Sequence, residues 1–266
     1  QIDHFIQTKK KTIAILQERK AAIINQAVTK GLDSNVPMKD SEIEWLGEIP
    51  KSWQLVKLGH YCHLVRGSSP RPAGDPTLFH GSFIPWITVK SVTNPKGKFI
   101  YRTDTCLTEK GMRQSRIVYS ETLLISNSGA SLGVPKILKI KGCINDGSVA
   151  FLNLNKKLER DFLYYFIESQ TELLREQQQG YGQPNLNTDI ISNIRVPLPP
   201  VEKQNSIVSF LDEKIIAFQK VIEKEQNAIN VIKEYRESLI SAAVTGKIDV
   251  REYQTTAKKY ATAKNY

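Results

Sequence analysis

Three short stretches of the chain carry side chains suited to gripping and reading a polyanion. The first is Arg66-Gly67-Ser68-Ser69-Pro70-Arg71. Two guanidiniums on a Gly/Ser loop suit phosphates, or the paired acceptors of a guanine edge, with Ser68 and Ser69 as supporting hydroxyls. A plain solvated loop has the same composition. The second is Ser126-Asn127-Ser128-Gly129-Ala130-Ser131, directly after the apolar Leu123-Leu124-Ile125. Its backbone amides can hold a phosphate, with Ser126, Asn127 and Ser128 as side-chain contacts; an ordinary tight turn reads the same way. The third is Gly180-Tyr181-Gly182-Gln183-Pro184-Asn185-Leu186-Asn187, behind Gln177, Gln178 and Gln179. The amides of Gln183 and Asn185 match the N6/N7 edge of adenine, and Tyr181 offers a flat ring. A structural brace competes with that reading. Lys90, Lys96, Lys98, Arg113 and Arg116 are phosphate candidates by charge alone.

Catalytic patterns do not stand out beside these loops. The chain has no G-x-x-x-x-G-K-[ST] phosphate loop, no dinucleotide glycine fingerprint and no G-x-S-x-G elbow. The Asn/Asp-Pro-Pro-aromatic tetrad expected of an amino-methyltransferase does not occur; Pro199-Pro200 sits between Leu198 and Val201. His60, Cys62, His63 and His80 form the densest set of metal-type ligands. The reading adopted for them is a partly buried strand with satisfied imidazoles. No catalytic residue, metal or cofactor is therefore expected.

Composition sets the wider frame. The chain has 266 residues, 40% hydrophobic and 24% charged, enough for a sizeable core and unlike a disordered or collagenous chain. It holds 37 Lys+Arg against 27 Asp+Glu, a net charge of +10, which suits a polyanionic partner. Three cysteines without a C-x-x-C pair argue against a disulfide framework and fit a reducing cytoplasm. No run of about 18 apolar residues or signal-peptide pattern is visible, so no membrane association is expected. The first residue, Gln1, already lies inside a helical pattern, which reads as a fragment or processed chain.

The elements that must position the loops follow from periodicity. Residues 1–30 read as one helix, with Ile2, Ile6, Ile13, Leu16, Ile23 and Ala27 on one stripe and Gly31 beyond. Residues 201–245 read as a second, opened by Pro199-Pro200 and closed by Gly246, with Ile207, Leu211, Ile215, Phe218, Ile222, Ile229, Ile232, Leu239 and Ala243 on its stripe. Shifting the first by 216 lays residues 2–33 over residues 218–249, with eight identities in 32 pairs and no gap. The block Ala27-Val28-Thr29 against Ala243-Val244-Thr245 marks a true internal repeat. Helices sharing a stripe can pack together, and the expected seam is Ile6, Ile13, Leu16 and Ile23 against Ile222, Ile229, Ile232 and Leu239. Charges at matched positions, Lys9 and Glu225, Lys20 and Arg236, either set the register or are solvated edges.

Between the helices, residues 44–200 hold short apolar runs at 83–89, 117–126, 134–140 and 149–154, and one helix at 159–178. This region carries 19 basic against 13 acidic residues, +6 of the total charge. The expected fold is α+β: a mixed globular domain plus two long antiparallel helices forming a coiled-coil-like spacer. The expected division is 1–43 spacer helix and linker, 44–200 globular domain, 201–249 second helix, and 250–266 basic polar tail.

The segment Pro197-Leu198-Pro199-Pro200-Val201-Glu202-Lys203-Gln204, followed by Ile207 and Phe210-Leu211-Asp212, resembles the start of the conserved helix in specificity (S) subunits of type I restriction–modification enzymes. Lys203 replaces the usual Glu of that pattern. Leu239-Ile240-Ser241-Ala242-Ala243-Val244-Thr245-Gly246-Lys247-Ile248-Asp249 resembles the helix end, from which the repeat copy departs at Asn25-Gln26 and Lys30-Gly31. Trp45-Leu46-Gly47-Glu48-Ile49-Pro50-Lys51-Ser52-Trp53 resembles the entry to a target recognition domain. The stretch 180–187 recurs in the family before the Pro-Leu-Pro-Pro turn.

The resemblance implies target recognition domains that alternate with long helices, each domain reading one half of a split duplex target. Methylation and cleavage then belong to methyltransferase (M) and restriction (R) subunits. The implied partners are double-stranded DNA, those subunits and, for a half-length subunit, a second copy of the chain. A helix of 29 residues is about 43 Å long, near the ~34–36 Å of one DNA turn, so the rod can set the gap between half-sites. The alternatives are a coiled-coil protein-binding module with a globular insert, or an enzyme working at the His60/Cys62/His63 cluster.

Overall fold

The computed structural model describes residues 2–94, 97–129, 132–177 and 185–248. Lys96, Tyr181, Gln183 and the tail 250–266 lie outside the described residues. In chain order the main elements are α1 (Ile2–Lys30), β1 (Met38–Asp40), β2 (Glu48–Pro50), β3 (Gln54–Lys57), β4 (His63–Arg66), β5 (Phe79–Ile87), α2 (Val89–Thr93), β6 (Phe99–Ile100), β7 (Cys106–Leu107) and α3 (Glu109–Met112). They continue as β8 (Arg116–Val118), β9 (Leu123–Ser126), β10 (Pro135–Leu138), β11 (Gly142–Ile144), β12 (Ser148–Leu152), α4 (Arg160–Gln177), α5 (Thr188–Asn193), β13 (Arg195–Leu198) and α6 (Val201–Val244). The α+β reading holds, with both long helices in place.

The described chain forms two compact units, Ala21–Asp212 and residues 2–20 with 213–248. Ile24, Ala27 and Val28 of α1, and Ile207 and Leu211 of α6, are buried and fall in the larger unit.

In the helical unit, Lys9 pairs with Glu225 at 2.7 Å and Asp3 with Arg236 at 3.6 Å. Partner numbers rise on α6 as they fall on α1, so the helices run antiparallel. Ile6 and Ile229 are buried, while Ile13, Leu16, Ile222, Ile232 and Leu239 are half-buried. Helix α6 ends in a Schellman turn: Gly246 at φ +71 donates to Ala243, and Lys247 donates to Ala242 at 2.8 Å.

The larger unit is built on a five-stranded sheet, β4-β12-β9-β10-β6, and a four-stranded sheet, β7-β5-β11-β8. Ile87, Val92, Ile100, Val118, Leu124, Leu138, Ile144 and Ala150 form one shared core cluster. Every residue from Phe162 to Ile167 of α4 is buried, so this stretch of the helix is enclosed on all sides. The run expected at 117–126 is two strands, β8 and β9, separated by a turn at Ser120-Glu121. The strand expected through His60-Tyr61-Cys62-His63 is corrected: Leu58–His60 form a 3-10 turn closed by Tyr61 N–H donating to Leu58, and β4 starts only at His63.

Gln204 explains part of the Pro-Leu-Pro-Pro signature. Its side chain is wholly buried, accepts from Glu159 N–H at 2.7 Å and donates to Pro199 and Lys157 carbonyls at 2.8 and 2.7 Å. One amide thus ties the first turn of α6 to the start of α4.

Candidate nucleic-acid interface

Sheet register brings the first two sequence stretches to one place. Strand β12 is antiparallel to both neighbours, with Arg66 of β4 opposite Val149 and Ser126 of β9 opposite Ser148. The loops leaving β4 and β9, and the loop entering β12, therefore emerge at the same end of the sheet. The third stretch joins them: Asn185 bridges Ser128, and Leu186 N–H donates to Asn127 at 2.7 Å. Arg66, Ser128 and Asn185 line one polar groove of about 390 Å³ with Val89, Asn145, Asp146 and Gly147.

Glycine permits this convergence. A Cβ on Gly67 would stand 2.0 Å from the Asn145 carbonyl oxygen, and one on Gly147 2.2 Å from Val89. Neither space admits a side chain, so the two loops close only with glycine there.

The groove's electrostatics turn on Asp146. Its carbonyl accepts from Arg66 Nε at 2.8 Å, and its carboxylate accepts from Ser69 at 2.7 Å and faces Arg71 at 3.6 Å. Gln114 braces the same loop, accepting from Arg71 N–H at 2.8 Å and from Ser68 hydroxyl at 3.0 Å. Ser68 and Ser69 thus hold the loop's shape, while Arg66 and Arg71 remain exposed. Sequence reasoning passed over Asn145, Asp146, Gly147 and Gln114. The run Asn145-Asp146-Gly147 is a turn signature, and that was the available signal.

Three expected contacts are corrected. Ser126 is fully buried, and its hydroxyl accepts from Val134 N–H at 3.0 Å. Asn127 is also fully buried, its backbone held by Gly147 and Leu186. Its side-chain amide has no hydrogen-bond partner among the described residues. Lys98 is withdrawn as a free phosphate cation: its ammonium pairs with Asp161 at 2.7 Å and Asp212 at 2.8 Å, with the side chain only 11% exposed. It also lies 4.7 Å from the Tyr165 ring centre.

Lys98, Asp161, Tyr165 and Asp212 do not line the groove. Burial would raise the Asp161 carboxyl, but hydrogen bonds from Lys98 and Arg160 outweigh it and hold the group below the usual carboxylate range. Burial, helped by a hydrogen bond to Asp212, pushes the Tyr165 hydroxyl well above the usual phenol range. Lys90 and Arg116 are exposed, whereas Arg113 pairs with Glu109 at 2.7 Å.

No group of three or more His, Cys, Asp or Glu capable of holding a metal gathers among the described residues. Burial pushes the Cys62 thiol up to about 12, so it stays protonated and is a poor thiolate ligand. No described helix is long and apolar enough to cross a membrane.

Residues 50–233 match the family model described as "Type I restriction modification DNA specificity domain". The chain is 27% identical over 251 residues to the putative type I restriction enzyme MjaX specificity subunit of Methanocaldococcus jannaschii, covering 94% of this chain and 55% of the relative. It is 24% identical to the MjaVIII specificity subunit of the same organism, covering 94% and 58%. The chain thus spans about half the length of these relatives. The crystal structure of the HsdS subunit from Thermoanaerobacter tengcongensis superposes with a TM-score of 0.55 at 19% identity, over 93% of this chain and 57% of that one. A chain from a study titled for the "complex assembly" of "the type I R-M system" superposes with a TM-score of 0.63 at 19% identity, over 91% and 56%. The matched span covers most of the chain, from the last residue of β2 into α6, so the protein belongs to the type I restriction–modification DNA specificity domain family.

Proposed function

We propose that this chain reads one half of a bipartite duplex DNA target as the non-catalytic specificity component of a cytoplasmic type I restriction–modification enzyme. The antiparallel helices space that reading unit from a second one and dock methyltransferase and restriction subunits. A second recognition unit comes from a longer chain or from a second copy. The observation that carries the DNA reading is the convergence of Arg66, Ser128 and Asn185, from three separate stretches, on one polar groove. From sequence, Tyr181 and Gln183, in the stretch leading to Asn185, are proposed as further base contacts, and Lys90, Lys96 and Arg116 as phosphate contacts by charge alone.

Duplex titration at several salt concentrations tests the proposal. Phosphate contacts release counterions, so affinity should fall steeply and linearly on a log–log scale. A flat response would favour the protein-binding module. Arg66→Ala should weaken binding to the target duplex more than to a scrambled one, by about 1–3 kcal/mol if a bidentate base contact is lost. Equal losses on both duplexes would make Arg66 a phosphate contact.

Asp146→Asn should act in the opposite sense. The carboxylate repels phosphates and engages Arg71, so its removal should tighten scrambled-duplex binding and steepen the salt slope by about one unit. The ratio of target to scrambled affinity should fall. An unchanged ratio and slope would show that Asp146 only shapes the loop.

A further inference from the structure

A second cavity, of about 640 Å³, also borders α2. Val89 lines the groove and its neighbour Lys90 lines this cavity. Trp86 and Phe79 form one aromatic wall, their ring centres 6.3 Å apart and edge to face. Tyr101 lines it as well, is 66% exposed and meets the Phe99 ring edge to face at 5.9 Å.

Two cationic side chains, Lys90 and Arg102, and the imidazole of His80 surround these rings. All three are exposed, and none has a hydrogen-bond or ion-pair partner among the described residues. Asp104 lines the same space and offers an acceptor. Strand β5 departs from its ladder where it borders the cavity. Its register against β7 shifts between Phe79 and Ile84, and His80 stands at φ 61, a left-handed conformation rare for a residue with a side chain. The volume is in the range of small-molecule sites, and a few polar groups converge on apolar walls.

Flat aromatic walls take a planar ring, unpaired cations take a phosphate, and a carboxylate takes an exocyclic amine. We infer that this cavity binds an aminopurine or aminopyrimidine nucleotide through its base and its phosphate. The nucleotide is either free in solution or an extrahelical residue of a bound duplex. The extrahelical source rests on the duplex-binding reading proposed above; the free-nucleotide source does not.

The test is titration of the full chain with adenosine 5′-monophosphate, with ribose 5-phosphate and inorganic phosphate as controls, read by calorimetry. Saturable binding is expected for the nucleotide, with the controls at least tenfold weaker. Arg102→Ala and Tyr101→Ala, both at exposed positions, should each weaken it at least fivefold at unchanged melting temperature. Repeating the titration with saturating duplex separates the sources. A raised nucleotide Kd assigns the site to a duplex residue, and an unchanged Kd to a free nucleotide. No saturable binding, equal binding of inorganic phosphate, or full affinity in both variants would overturn the inference.

Discussion

Lys98→Ala will destabilise the larger unit by about 3 kcal/mol, the lower end of the range for breaking a buried ion pair. The lower end applies because neither carboxylate is left alone: Asp161 keeps its ion pair with Arg160, and Asp212 is 45% exposed and can recover water. The same change should flatten the acid limb of stability. A carboxyl held below its unfolded value contributes stability that is present above the ordinary carboxylate range and lost as pH falls through the folded value. Asp161 is such a group, and Lys98 is the first of the partners that lower it. Urea midpoints at neutral and acid pH check both effects. A variant as stable as the parent would return Lys98 to the pool of free surface cations.

Ile229→Asp should be at least as damaging in the helical unit. Ile229 is 1% exposed, and truncating a buried isoleucine typically costs about 2–5 kcal/mol. The aspartate adds a charge with no partner in an apolar seam. Ile240→Asp is the control, because Ile240 is 53% exposed and the change there should cost under about 0.5 kcal/mol. Thermal melts followed by helical circular dichroism should separate the two variants clearly. Coincident melts would mean that the stripe is not core.

The long helices were legible because a stripe is a local property: Ile6 and Ile229 announce themselves by spacing alone. The internal repeat and the Pro-Leu-Pro-Pro turn made the architecture legible too. Loop chemistry was legible only in part. Arg66 and Asn185 were named from residue type, but that they share a groove depends on strand register. Lys98 was misread because its partner Asp212 lies 114 residues away, and charge alone does not show which carboxylate a lysine meets. Ser126 and Asn127 follow an apolar strand and looked like its polar exit. The sheet instead carries β12 alongside them, which keeps both inside. Asp146 was missed because Arg66, which it holds, is 80 residues away. Residue type proposes contacts; tertiary pairing decides which of them face solvent.

The most direct measurement is selection of duplexes from a randomised pool by the whole chain, repeated with Arg66→Ala and Asn185→Ala. The account predicts a short fixed motif for the parent chain and relaxed preference at one or more positions for each variant, with overall retention kept by the remaining cations. A parent chain that retains duplex without enriching any motif, or variants that return the parent motif unchanged, would contradict the claim that this groove reads sequence.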